Sequence, residues 1–395
     1  MSVFAELVGQ ERVVEQLQAA ARDAASLVAG SGGTGEGMTH AWLFTGPPGS
    51  GRSNAARAFS AALQCEAEGP PGCGRCDAFH QAVTGAHPDV AMIVPEGLSL
   101  KVEEAREIIV RSSRAPTRGR WQVTLIEDAD RLTESGANAL LKALEEPPPR
   151  SVLLLSAPSV EDLLPTIRSR CRSAALRTPP AEAVASLLVS RDGVDPAMAA
   201  FAAQAAQGHI GRAKRLANDE EARRERRDVL SLPRSLQGVG SALSAAKDLV
   251  DAAQAEAVAL TKDRDIVEKE SLATAMGAGA TGKGVTGGSR GSAGALKELE
   301  KRQKSRGTRT SRDALDRALV DLAAFYRDVL QLQLATGSAL VHADLSDQAA
   351  TIARATTAES TLRRIDAVLA CRGALDANVA PLLAVEAMAL ALRTG

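Results

Sequence analysis

Ala41-Trp42-Leu43-Phe44-Thr45-Gly46-Pro47-Pro48-Gly49-Ser50-Gly51-Arg52-Ser53 is a short apolar run that ends in a glycine-rich turn, and Ala55 to Leu63 continues it with a helical pattern. A brief unbroken apolar run stopped by Gly and Pro reads as a buried strand. Strand, glycine turn and helix together are the setting of a phosphate-binding loop, and Gly46…Gly51-Arg52-Ser53 fits G-x-x-x-x-G-[K/R]-[S/T]. In such a loop Gly46, Pro48, Gly49, Ser50 and Gly51 form a cradle. The missing Cβ atoms let backbone N–H groups turn inward around phosphates, and the following helix adds its positive N-terminus. The Ser53 hydroxyl is placed to meet Mg²⁺. Arg52 stands where a working NTPase has a lysine across the β- and γ-phosphates; it keeps the charge on a bulkier, planar head. A chance glycine turn is the competing reading, and the flanking strand and helix argue against it.

Working outward, Trp121 to Ile126 and Ser151 to Leu155 read as two more buried strands. Alternating strands and helices indicate a parallel sheet covered on both faces. Between those strands, Ser135 to Glu146 reads as a helix with Ser135 as its cap, stopped by Pro147-Pro148-Pro149. A first helix is expected from about Glu11 to Leu27, followed by a glycine-rich loop at 29–35. After Thr178-Pro179-Pro180 no strand signal remains. Residues 181–217 read as a small group of helices, and from Asp219 the pattern stays helical. A stretch rich in Gly, Ala, Ser and Thr at 277–294 reads as a mobile loop. The last helices are expected at about 312–333, 345–355, 360–370 and 379–392. The domains are therefore 1–177 (α/β), 178–218 (helical) and 219–395 (helical).

The Trp121 strand runs into Ile126-Glu127-Asp128-Ala129-Asp130. P-loop ATPases place an Asp for the Mg²⁺ shell at this edge, followed by a Glu that orients the attacking water. Here the order is reversed. Asp128 is a methylene shorter than glutamate, and a general base must reach its water. The plain alternative is a solvated acidic turn.

Cys65, Cys73 and Cys76 form C-x7-C-x2-C in a Gly/Pro-rich segment, a pattern like a zinc knuckle, with the adjacent His80 available to complete a Cys₃His site. The alternative is three reduced thiols and no metal. His87 is a weaker ligand candidate. Cys171, with no histidine near it in sequence, reads as a packed thiol. The basic segment 297–317 is either a phosphate-facing patch or a solvated helix face, and Glu298, Glu300, Asp313 and Asp316 dilute it in favour of the second.

Bulk properties limit the possibilities. A net charge of −1 gives no whole-molecule field toward nucleic acid, so DNA contact needs a local patch or partner chains. With only 2% aromatic residues and much alanine, the cores suit close-packed helices. The N-terminus lacks the layout of a secretory signal, and no apolar run approaches the roughly 20 residues of a membrane helix. The run from Val379 to Leu392 is short and contains Glu386, so it reads as a core helix. Five cysteines, an odd and sparse set, argue for free thiols or metal rather than a disulfide frame, and the expected location is cytoplasmic with no membrane contact.

Taken together, these residues resemble the AAA+ subunits of the bacterial DNA polymerase III clamp loader. Leu7-Val8-Gly9-Gln10 is similar to the family's adenine-side box, and His40 to Pro47 to its lead-in to the P-loop. Ala137-Asn138-Ala139-Leu140-Leu141-Lys142-Ala143-Leu144-Glu145-Glu146-Pro147-Pro148 is the most specific match. The likeness covers about residues 3–215. It implies an α/β P-loop AAA+ domain with a zinc-knuckle-like insertion at 65–87, then an all-α lid and an all-α collar. It also implies ATP with Mg²⁺ near Val8, the P-loop, Glu127 and Asp128, and zinc at the cysteines, where the family's usual fourth cysteine is absent.

Motor subunits of this family carry the P-loop lysine, an Asp-Glu pair and an arginine in a Gly-x-x-Arg motif of the lid. This chain has Arg52, Glu127-Asp128 and Gly208-His209-Ile210-Gly211. Those departures favour a non-hydrolysing stator over an active ATPase motor, which remains the alternative. Ser169-Arg170-Cys171 resembles the family's arginine-finger motif intact, which implies that Arg170 reaches the γ-phosphate in a neighbouring motor's site. The implied partners are tau/gamma motor subunits and a delta subunit in a hetero-pentameric ring, the sliding clamp, and primed DNA through that complex. A third reading is a metal-dependent DNA-binding adaptor.

Overall fold

A computed structural model describes residues 2–30, 37–276 and 289–395. Its contacts divide the chain into two compact units, Met1–Asn218 and Asp219–Gly395.

The first unit is built on five parallel strands: β1 (Ala41–Thr45), β2 (Val90–Ile93), β3 (Gln122–Ile126), β4 (Ser151–Ala157) and β5 (Arg172–Ala175), in the order β2-β3-β4-β1-β5. The three strands legible in the sequence are the central ones, and all three are fully buried. Side chains alternate across a strand. Trp42 and Phe44 therefore face one core with α1 (Glu11–Ala29) and α2 (Arg52–Leu63). Ala41 and Leu43 face the other, with α4 (Val102–Ser112) and α5 (Glu134–Glu145). Between α2 and β2 lies the short α3 (Asp77–Thr84).

Sequence patterning missed β2 and β5, the edge strands. The first has only one buried residue, and the second, Arg-Ser-Ala-Ala, has no apolar run to read. The cap of α5 is also corrected: Thr133 Oγ1 accepts from the Gly136 N–H at 3.2 Å, so the helix starts at Glu134 and Ser135 lies inside it.

A one-turn helix α6 (Pro165–Arg168) leads into β5. After it come α7 (Ala181–Asp192), α8 (Pro196–Ala205) and α9 (Ile210–Asn218), the helices expected of a lid. No strand follows β5 among the described residues.

The second unit is all helix: α10 (Glu220–Ser235), α11 (Val239–Ala275), α12 (Ser289–Gln333), α13 (Ser346–Ala355), α14 (Ala358–Asp376) and α15 (Pro381–Thr394). Leu249, Leu315, Leu322, Phe325, Val368 and Val385 lie in its core. Arg226 is buried within it, bonded to Asp344 at 2.8 and 3.1 Å and to His342 Nδ1 at 2.7 Å.

Most of both glycine-rich stretches, 31–36 and 277–288, lies outside the described residues. Residues 289–294, expected to be loop, open α12 instead of preceding a helix at 312. Each glycine there costs about 1 kcal/mol, a price that helix propagation from a well-packed downstream segment offsets. In the basic segment, Arg306 forms two bonds to Glu268 at 2.9 and 2.6 Å, Arg312 bonds Asn378, and Arg317 bonds Glu256. Much of that charge is thus neutralised internally. Among the described residues no helix is long and apolar enough to cross a membrane.

Candidate functional site: a P-loop closed by its own chain

Gly46, Gly49 and Gly51 take positive φ values of 155°, 87° and 88°, so the loop has the backbone its sequence calls for. Gln10 ties it to the N-terminal box. This side chain is 4% exposed; its Nε2 donates to Ser50 O at 3.3 Å and Arg177 O at 2.6 Å, and its Oε1 accepts from Arg177 N. Val8, the expected adenine neighbour, is half-buried two residues earlier. Pro48 is exposed, Ser53 half-buried, and the Ser50 hydroxyl is buried with no hydrogen-bond partner.

The charged groups do not face an open pocket. Arg52 curls back: Nη1 donates to Gly46 O at 2.8 Å and Nη2 meets Asp128 Oδ1 at 3.1 Å. Asp128 itself sits in the left-handed region at φ 47°, with Arg131 Nε 3.9 Å from its other oxygen. Glu127 is held by Arg57, whose Nε and Nη2 lie 3.0 and 2.6 Å from Oε1. Asp130, next along, has its pKa raised by burial and by the charge of Asp128.

The start of α9 packs on the loop. A Cβ placed on Gly49 would lie 2.5 Å from the Cα and Cβ of His209, so these two residues are in direct contact. His209 precedes α9, and its Nδ1 accepts from the Arg212 N–H at 3.2 Å. In this arrangement a triphosphate with Mg²⁺ would have to draw the Arg52 guanidinium off Gly46 O and Asp128, with His209 packed against Gly49 at the loop's edge.

Arg170 lies outside this pocket, one residue past Ser169, the C-cap of α6. Its Nη2 is 2.6 Å from Glu145 Oε1 and its Nη1 donates to Thr166 O at 2.8 Å, with the side chain 35% exposed. Burial pushes the neighbouring Cys171 thiol up to about 12, which agrees with an inert packed cysteine.

The three cysteines do come together, with their Sγ atoms all within 4.8 Å of one another. Cys76 caps α3 by accepting from the Phe79 N–H at 3.4 Å. Burial pushes the Cys73 thiol up, but N–H donors of Arg75 and Cys76 and the two neighbouring thiols outweigh it and bring the pKa to about 7. This chemistry suits a soft divalent ion. His80 is not part of the group. It is exposed, with its ring edge-on to Phe79, because the turn that caps α3 carries residue 80 out to the surface. His87 is buried and instead accepts from the Asp89 N–H.

Arg57, His209 and Glu145 were not singled out from the sequence. The one available signal was the reversed Glu127-Asp128 pair, which suits capture by arginines on α2.

Residues 30–180 match the family model described as DNA polymerase III, delta subunit. The delta' subunit of Pseudomonas aeruginosa is 37% identical over 147 residues, 36% of this chain and 45% of that protein. The delta' subunit of Bacillus subtilis is 30% identical over 195 residues, 49% of this chain and 59% of that protein. The gamma/tau subunit of Mycobacterium tuberculosis is 35% identical over 188 residues, 47% and 30% of the two chains. The chain therefore spans from under a third to under two thirds of the length of these relatives. Among solved structures, a DNA polymerase III gamma subunit-related protein of Thermotoga maritima overlays with a TM-score of 0.38 at 16% identity, covering 90% of this chain and 94% of that one. By sequence, the α/β unit is related to DNA polymerase III subunits of the delta' and gamma/tau kinds.

Proposed function

We propose that this chain is a delta' subunit of a DNA polymerase III clamp loader: a stator that does not hydrolyse ATP itself and lends Arg170 to a neighbouring motor. The observation that carries the reading is the closed P-loop, with Arg52 folded onto Gly46 and Asp128 and His209 seated on Gly49. A site filled by its own side chains has no lysine to bridge phosphates and no free carboxylate to orient water. Arg170, by contrast, is at the surface on a finger motif. Supplied in trans, an arginine stabilises charge developing on a γ-phosphate in another subunit's site.

In this reading the partners are tau/gamma motors and a delta subunit in a five-membered ring, acting on a sliding clamp and on primed DNA. The helical second unit serves as the collar. Cys65, Cys73 and Cys76 hold zinc with a fourth ligand other than His80, and the ion clips the loop between α2 and α3.

A second reading, an active motor, has the intact cradle glycines and Ser53 in its favour. The two separate in one reconstitution. The purified chain should show no turnover and weak ATP binding, while the complex with motor subunits should lose turnover on Arg170→Ala without losing assembly. Robust hydrolysis by the chain alone, abolished by Arg52→Ala, would overturn the stator reading. Unchanged turnover in the Arg170→Ala complex would overturn the finger.

A further inference from the structure

We infer that Glu145 is a positioning residue that parks the finger, competing with the neighbour's triphosphate for the Arg170 guanidinium; this rests on the reading of Arg170 as a trans finger. Glu145 is the last residue of α5, and Arg170 follows the α6 turn. The Arg170 guanidinium is therefore pinned from two sides: Nη2 by the Glu145 carboxylate at 2.6 Å, and Nη1 by the Thr166 carbonyl at 2.8 Å and the Ser169 hydroxyl at 3.3 Å. The C-terminal end of α5 adds partial negative charge where the guanidinium rests.

Both η nitrogens are thus directed at acceptors of their own chain. A phosphate oxygen arriving from another subunit must replace the carboxylate, since an anion beside Nη2 would otherwise face Glu145 at close range. Both side chains are well exposed, Arg170 at 35% and Glu145 at 50%, so the pair is hydrated and readily exchanged. A triphosphate carries more charge than one carboxylate and takes phosphate–guanidinium bonds in bidentate geometry. The restraint is strong enough to hold the finger in place before assembly and weak enough to yield to the nucleotide.

Because parking is released before the transition state, its removal strengthens binding of ground state and transition state alike. Such a change appears in KM and not in kcat. The experiment compares Glu145→Gln, Arg170→Ala and the double variant in the complex reconstituted with motor subunits, measuring steady-state ATPase across ATP concentration. Glu145→Gln keeps the size and removes the charge. Its expected effect is a KM for ATP lowered by about two- to fivefold, the range of an exposed ion pair, with kcat unchanged. In the Arg170→Ala background the same change should do nothing, because the carboxylate acts only through that arginine. An unchanged KM, a fall in kcat, or an effect that persists without Arg170 would each overturn the parking role while leaving the finger in place. If Arg170→Ala alone leaves turnover untouched, the finger reading itself fails, and Glu145 has nothing to park.

Discussion

Replacing Asp89 by asparagine tests whether the loop leading into β3 is held by one buried carboxylate. Asp89 is 1% exposed and accepts from Thr117 N and Thr117 Oγ1 at 2.7 Å each, from Arg118 N at 2.8 Å, and from Gly119 N. Burial pushes its pKa up, but these donors outweigh burial and hold it down from 3.8 to about 2. At about 1.4 kcal/mol per tenfold change in proton affinity, the charged carboxylate contributes about 2 kcal/mol to folding. The sign follows from the depressed value: between about pH 2 and 3.8 the unfolded chain binds more protons than the folded one. The contribution is therefore complete above about pH 4 and lost as pH falls through 2. Asparagine removes the charge and turns an amide donor toward N–H donors, so Asp89→Asn should cost about 2–4 kcal/mol at pH 7. The chain's two tryptophans, Trp42 and Trp121, both lie in the first unit, so urea unfolding followed by their fluorescence reports this unit by itself. The variant should also lose the share of the wild type's acid dependence that Asp89 supplies. A cost below about 0.5 kcal/mol, or an acid dependence identical to wild type, would refute the argument.

In the second unit, Arg226→Ala strands the buried His342 and takes the ion-pair partner from the exposed Asp344, and should cost about 1–3 kcal/mol, seen as faster hydrogen exchange along α10. His342 has its pKa lowered by burial, then by the Arg226 charge, against Asp321 and Asp328. Folding thus favours the neutral ring, so stability of this unit should fall as pH drops below about 6.5, where the unfolded chain takes up the proton, and His342→Gln should flatten that slope. Gly49→Ala puts a Cβ 2.5 Å from His209 at φ 87° and should loosen α9 toward proteolysis; unchanged protection would mean the lid does not rest on the loop. The chain as purified should carry one equivalent of zinc, lost on Cys73→Ser; a metal-free wild type by mass spectrometry would sink that assignment.

The sequence made legible what is continuous and apolar. β1, β3 and β4 are buried end to end, so each reads as an unbroken run, and the glycine turn after β1 follows from spacing alone. The edge strands escaped because an edge strand need not be apolar: β5 is Arg-Ser-Ala-Ala, with one buried residue of four. The start of α12 escaped for the opposite reason, since glycine and serine argue locally for loop while a long packed helix carries through them. For the site, spacing identified Cys65, Cys73 and Cys76 but misjudged His80, because whether residue 80 faces the thiols depends on how the Cys76 cap starts α3. Long-range pairings such as Arg57 with Glu127, seventy residues apart, leave no local pattern.

The cradle glycines illustrate how a motif can outlast the reason usually given for it. Three glycines at positive φ would ordinarily be explained by phosphate, because only an unsubstituted backbone lets N–H groups converge on an anion. Here each glycine has a demand from the chain itself. A Cβ on Gly46 would lie 2.5 Å from Ser50 Oγ and 2.8 Å from Leu176 O; one on Gly49 would strike the His209 backbone; and Gly51 serves as the left-handed N-cap of α2 at φ 88°. A side chain at the first two positions would displace β5's exit or the lid, whether or not a nucleotide ever binds. The glycines are therefore evidence for the loop's shape and silent about its occupancy. Occupancy is decided by groups that are free to differ, Arg52, His209 and the reversed acidic pair, and in this chain all of them are bonded to the chain or packed on it. Under the proposed stator reading, the phosphate left for this chain to meet is another subunit's, and the group offered to it is the partly exposed Arg170, once its bond to Glu145 gives way.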